Sequence, residues 1–249
     1  MKHKWLILVF LGLLSSSCAY RPYVGILEPL SEAEQGESMS VADDGTVTYT
    51  QGRLELRLRP MSDEELNRQF QAYSQDGAHS VNPYTFGNSQ YFKTRETPKR
   101  FTVFKLTIKN YEFPKVRLNG EITVESDNGR KYYALTFSQL DRYFRSYAIG
   151  YRGNDYSQYD ERRDLLRRTM FPQEDIFSGQ EQEGYVLFAP LADDVEAISV
   201  KLPDVVTRFD FRGEPAESIE AHYRFRRDIG RIYPGATGWE DGRIELTSK

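Results

Sequence analysis

Strict alternation of apolar and charged positions runs through Arg53-Leu54-Glu55-Leu56-Arg57-Leu58-Arg59. Successive side chains of an extended chain point to opposite faces, so all three leucines fall on one side. Thr46–Thr50 precedes this run, and Gln51-Gly52 between them predicts a hairpin turn. Phe101–Asn110 repeats the pattern with Phe104, Leu106 and Ile108 on one face. Val116–Ser126 continues as a strand interrupted by a bend or bulge at Asn119-Gly120, and Asp127-Asn128-Gly129 turns the chain back into Lys131–Phe137. Tyr185–Ala189, Ala197–Leu202, Val205–Phe211 and Ser218–Phe225 follow at close spacing. In the last of these, Ile219, Ala221, Tyr223 and Phe225 share the inner face, and His222 lies on the polar face beside a carboxylate.

Helical spacing is confined to short stretches. Ser62 with Glu65 is a capping box, and Leu66, Phe70 and Tyr73 form its packing stripe. Ser138 with Asp141 and Ser157 with Asp160 predict two further N-caps. In the second of these helices Asp164 meets Arg167 and Arg168, and the arginines at 162, 163, 167 and 168 read as a solvated face with internal ion pairs, the alternative being contacts to phosphates of lipid headgroups or to sugars. About nine short strands with helices only as insertions predict a mainly β fold, an antiparallel immunoglobulin-like β-sandwich. The expected domain spans 45–228, with insertions at 74–100 and 138–175, and a Gly-rich tail over 229–249. The polar, acidic run Ser31–Ser38 lacks the apolar surface to offset ordering, so 18–44 is expected to be a tether. Asp43-Asp44-Gly45 within it reads as a turn rather than a calcium loop.

The start of the chain carries an address. Lys2 and Lys4 form a positive region, Trp5–Leu14 is apolar except for Gly12, and Ser15-Ser16-Ser17 lead into Cys18. That order is a bacterial signal peptide, and ten apolar residues are too few to span a bilayer, which takes about 20. A cysteine directly after small residues resembles a lipobox, whose thiol receives diacylglycerol before cleavage; Ser15 stands where lipoboxes usually carry Leu. Residues 1–17 are then the signal peptide and Cys18 the lipidated N-terminus. Cys18 is the only cysteine, so the mature chain forms no internal disulfide, and acyl chains on one residue give lasting attachment. Ala19, rather than an inner-membrane Asp, predicts the outer membrane, facing the periplasm.

Loss of Lys2 and Lys4 changes the net charge from −4 to −6, which argues against nucleic acid as a partner. The sequence contains no G-x-S-x-G, H-E-x-x-H or P-loop. No cofactor and no metal site is expected.

The order Phe101–Asn110, Ile122-Thr123-Val124 with Asn128-Gly129, and Ile176-Phe177-Ser178-Gly179 leading to Gly184-Tyr185-Val186-Leu187-Phe188 is similar to bacterial lipoproteins with a telokin-like, immunoglobulin-like domain. The likeness covers the middle half of the chain; the insertion at 138–175 and the hairpin Val205–Phe225 depart from it. It implies a fold and an address rather than an activity. The functional expectation is a non-catalytic, membrane-anchored envelope lipoprotein that binds or braces another envelope protein or glycan. The alternatives are a carbohydrate-binding module and a carboxylate-based hydrolase. Tyr84, Phe86, Tyr143, Tyr147, Tyr151 and Arg152, in the two insertions, are the candidate contact residues, because Tyr and Arg are enriched at binding hot spots. The competing account folds Tyr84, Phe86, Tyr143, Phe144 and Tyr147 inward as an extension of the core.

Overall fold

The computed structural model describes residues 20–75, 80–88, 99–150, 156–236, 238–239 and 242–247, with the side chains at 147, 150, 156 and 157 outside that description. Cys18, His79, Tyr151 and Arg152 lie outside the described residues. The chain divides into two compact units, Ile26–Arg227 and a smaller one made of Met1–Gly25 with Asp228–Lys249.

The larger unit is a β-sandwich, as the alternation predicts. One sheet has the order β11 (Gln180–Phe188), β6 (Thr102–Asn110), β5 (Leu54–Met61), β4 (Val47–Gln51) and β3 (Met39–Val41). The other has the order β10 (Ile176–Phe177), β7 (Lys115–Leu118), β12 (Ala197–Phe209), β13 (Pro215–Arg226) and β2 (Glu28–Pro29), with β8 (Thr123–Ser126) on β12 and β9 (Lys131–Tyr133) on β8. All these strand pairs are antiparallel. Leu54, Leu56, Leu58, Phe104, Leu106 and Ile108 from the first sheet meet Val124, Val200, Leu202, Tyr223 and Phe225 from the second in one buried cluster.

Two expected strands, Ala197–Leu202 and Val205–Phe211, are the single strand β12, in which the register shifts between Leu202 and Val205. Asp204 takes φ 50° there, so the chain bulges without leaving the sheet. The return strand ends at Tyr133, because Phe137 already opens helix α4.

The tether expected over 18–44 is corrected. Residues 28–29 and 39–41 are strands of the sandwich, and Glu32–Gln35 is a short helix, α1. A hydrogen bond rather than apolar area orders this segment. Gln35 is buried; its Oε1 accepts from the Arg224 N–H at 2.9 Å and its Nε2 donates to the Arg224 carbonyl at 2.7 Å. The side-chain amide thereby completes the edge of β13, where unpaired backbone groups would otherwise be left. Met39 and Val41 then pack on the core.

Helices α2 (Asp63–Gln69) and α3 (Gln71–Ser74) follow β5, while α4 (Phe137–Gly150) and α5 (Tyr156–Thr169) come from the second insertion. Ser62 and Glu65 form the expected capping box. At α4 the cap is Thr136 with Gln139, not Ser138 with Asp141: the Gln139 N–H reaches Thr136 Oγ1, and Gln139 Oε1 accepts from the Thr136 N–H at 2.8 Å. Leu66, Phe70, Tyr84, Leu140, Phe144, Leu165, Leu166 and Leu187 form a second buried cluster.

In the smaller unit, β1 (Arg21–Val24), β14 (Ile229–Tyr233) and β15 (Arg243–Leu246) make a three-stranded antiparallel sheet, so part of the expected tail is ordered strand.

Candidate functional site

The two insertions do meet, but as core. Tyr84, expected to be a contact residue, has no exposed surface; its hydroxyl bonds to Thr169, and its ring lies 4.8 Å from Tyr185 and 5.3 Å from Phe70. Burial pushes its phenol above the ordinary range, so it stays protonated. Phe144 is buried in the same cluster. This corrects the surface assignment of Tyr84, because the apolar area of the ring is worth more inside the second cluster than in water. Phe86 is half-buried under the Arg100 guanidinium, 4.1 Å from its ring centroid. Tyr143 keeps an exposed edge while packing against Phe101 and Phe144. Tyr147 is on α4, and its side chain lies outside the described residues, as do Tyr151 and Arg152. Arg162, read as solvated, is buried and donates to the Ser80 carbonyl at 2.6 Å.

The concave chemistry lies elsewhere, at the open end of the sandwich. A cavity of about 510 Å³ is bounded by residues 26–29, the β3–β4 turn at 42–45, the β5–α2 junction at 59–63 and the start of β6 at 101–103, with Lys99 and Arg227 in its wall. The turn itself is tight, as the sequence suggests: the Gly45 N–H donates to the Ala42 carbonyl at 3.0 Å, and Gly45 takes φ 81°.

Arg227, Arg59, Asp44 and Glu65 on its wall are committed within the fold. Arg227 is buried, and its guanidinium donates to the carbonyls of Val195 at 2.9 Å and Ala192 at 2.6 Å; burial lowers its affinity for the proton, with Asp193 opposing. Arg59 pairs with Glu65 and donates to the Asp44 carbonyl at 3.0 Å. Asp44 is held below the usual carboxylate range chiefly by its hydrogen bond with Thr46.

Asp63 and Lys99 are different. Asp63 occupies the first turn of α2, half-buried, with its carboxyl pushed up to about 6 by burial, against the opposing charges of Lys99 and Arg100. Lys99 is open to solvent yet hemmed in by protein on a concave wall, and burial lowers its ammonium below the ordinary range, partly offset by Asp63. An acid and a base whose charged forms are both disfavoured, facing one hollow, are able to bind a charged or hydrogen-bonding ligand group that replaces the lost water. Neither residue stands out in the sequence; the burial that sets them apart arises where separate strands converge. Among the described residues no group of three metal-ligating side chains occurs.

No family model, no curated protein and no solved structure matches this chain.

Proposed function

We propose that this chain is a non-catalytic, lipid-anchored protein of the bacterial envelope, whose sandwich holds or braces another envelope component at the cavity on its open end. The address rests on the Met1–Cys18 pattern, with Ala19 favouring the outer membrane and the telokin-like resemblance pointing the same way. The observation that carries the binding role is that Asp63 and Lys99 line one hollow in which Arg59, Asp44, Glu65 and Arg227 are tied into the fold. A protein or glycan segment bearing hydrogen-bonding or charged groups fits such a wall.

An enzymatic reading has one observation behind it, since a carboxyl titrating near 6 suits a general acid. Carboxylate-pair hydrolysis needs a second acid free to act. Asp44 and Glu65 are engaged by Thr46, Arg59 and Ser62, so a hydrolase would have to use Glu28 or Asp43 of the same wall as its second acid.

The test is photo-crosslinking in intact cells, with a photoreactive residue in place of Asp43 at the cavity or of Glu217 on the far β13 segment. A discrete adduct from position 43, absent from 217 and lost on adding Asp63→Asn and Lys99→Met, is expected. Adducts that ignore both substitutions would reject the cavity as the binding site.

A further inference from the structure

A second hollow, of about 720 Å³, lies at the seam between the two buried clusters. Leu118, Ile122 and Phe171 on its wall belong to the sandwich cluster, while Leu135, Leu166 and Met170 belong to the helical one. Side chains from the two cores approach here without filling the space between them. The volume lies within the range of ligand sites, roughly 300–1,000 Å³.

Its walls divide sharply by polarity. The apolar lining residues are buried or half-buried, whereas Asn119, Glu121, Ser138, Arg167 and Gln173 are exposed. Asn119, Ser138 and Gln173 make no side-chain hydrogen bond among the described residues, so their polar groups are uncommitted. Arg167 is the one cation of the lining: it lies 5.2 Å over the Phe137 ring and 4.0 Å from Asp164, a loose contact that leaves donors to spare. Glu121 is the one acid.

One wall is built to stay in place. The Phe171 N–H donates to the Tyr185 carbonyl at 3.0 Å, and Met170 bridges Tyr185. Gly184 permits this approach, since a Cβ there would sit 2.4 Å from the Phe171 Cα. That wall is therefore fixed by backbone contacts and not by one rotamer.

We propose that this hollow takes the acyl chain of a single-chain lipid, its anionic head at the rim beside Arg167. The half-buried Leu118, Leu135 and Met170 offer a flexible hydrocarbon chain apolar area to bury, over a floor of the buried Ile122, Leu166 and Val186. The uncommitted rim amides and hydroxyl match a carboxylate or phosphate end, and Arg167 supplies the fork that such an anion accepts. The site is independent of the Asp63 cavity, and the proposal stands or falls apart from the reading given for that cavity.

The test uses the full chain in lipid nanodiscs with a diazirine-bearing palmitate probe, the adducts being mapped by peptide mass spectrometry. Adducts should concentrate in 118–138 and 166–186, and excess palmitate should abolish them. Met170→Trp, which fills the hollow, should cut labelling roughly tenfold or more at unchanged melting temperature, about 1.4 kcal/mol in affinity. Ala134→Leu serves the same purpose if the tryptophan unfolds the protein. Palmitate should compete better than its glycerol ester, with the difference lost in Arg167→Gln. Adducts spread evenly over the chain, or undiminished in a folded filled variant, would overturn the site. Equal competition by acid and ester in the wild type would overturn the anionic head.

Discussion

The Tyr223 hydroxyl donates to the Leu56 carbonyl at 2.9 Å, across the interior of the sandwich from one sheet to the other. Tyr223 is fully buried, and burial raises its phenol above the ordinary range, so the hydroxyl remains a donor at every working pH. Apolar faces hold the sheets together without direction, whereas this bond fixes which residue of β13 stands over which residue of β5. Tyr223→Phe keeps the ring and removes the donor, at an expected cost of about 1–3 kcal/mol for a carbonyl left without it. Leu56→Asp puts an unpaired carboxylate in the same place and is expected to cost several kcal/mol, enough to unfold a marginal domain. Denaturant titration followed by far-UV circular dichroism checks both. A β-type spectrum in Tyr223→Phe with a lowered midpoint fits, and an unchanged midpoint does not.

Asp63 makes stability depend on pH in a direction opposite to most carboxylates. Its folded value of about 6 lies above the ordinary aspartate value of 3.8. The folded state thus binds the proton more tightly than the unfolded chain. Its contribution is fully present below about pH 4, is lost as the pH rises through about 6, and is flat above that. Two units correspond to at most about 3 kcal/mol. Asp63→Asn should remove this fall, leaving a flatter stability profile between pH 4 and 6.5 and a more stable protein at pH 7. Lys99→Met removes an opposing cation, so the Asp63 midpoint should move above about 6, as read by carboxyl NMR. A downward movement would mean that Lys99 does not act on Asp63.

Helix α4 offers a local test. Thr136 caps it through the Gln139 N–H, whereas Ser138 is already inside the helix. Thr136→Ala should cost about 1 kcal/mol and Ser138→Ala much less. Thermal melts of the two variants check this, and equal losses would contradict the assignment of the cap.

The contrast between these two residues illustrates what the sequence made legible. The strands were readable because alternation is itself the geometry of a half-buried strand, as Leu54, Leu56 and Leu58 show by being fully buried. The Ser62–Glu65 cap was readable because both partners lie within one turn. Thr136-x-x-Gln139 and Ser138-x-x-Asp141 look alike locally, and only the end of β9 decides between them. Gln35 was invisible because its backbone partner, Arg224, lies 189 positions away. Tyr84 and the Asp63–Lys99 pair were misread or missed for the same reason: their burial is created by elements far apart in the chain.

The lipid anchor proposed at Cys18 is the step on which the envelope reading depends. Metabolic labelling with a clickable palmitate analogue, followed by fractionation, tests it directly. The wild type should carry label and sediment with the outer membrane, and Cys18→Ser should carry none. Equal labelling of the two proteins would contradict the lipid anchor.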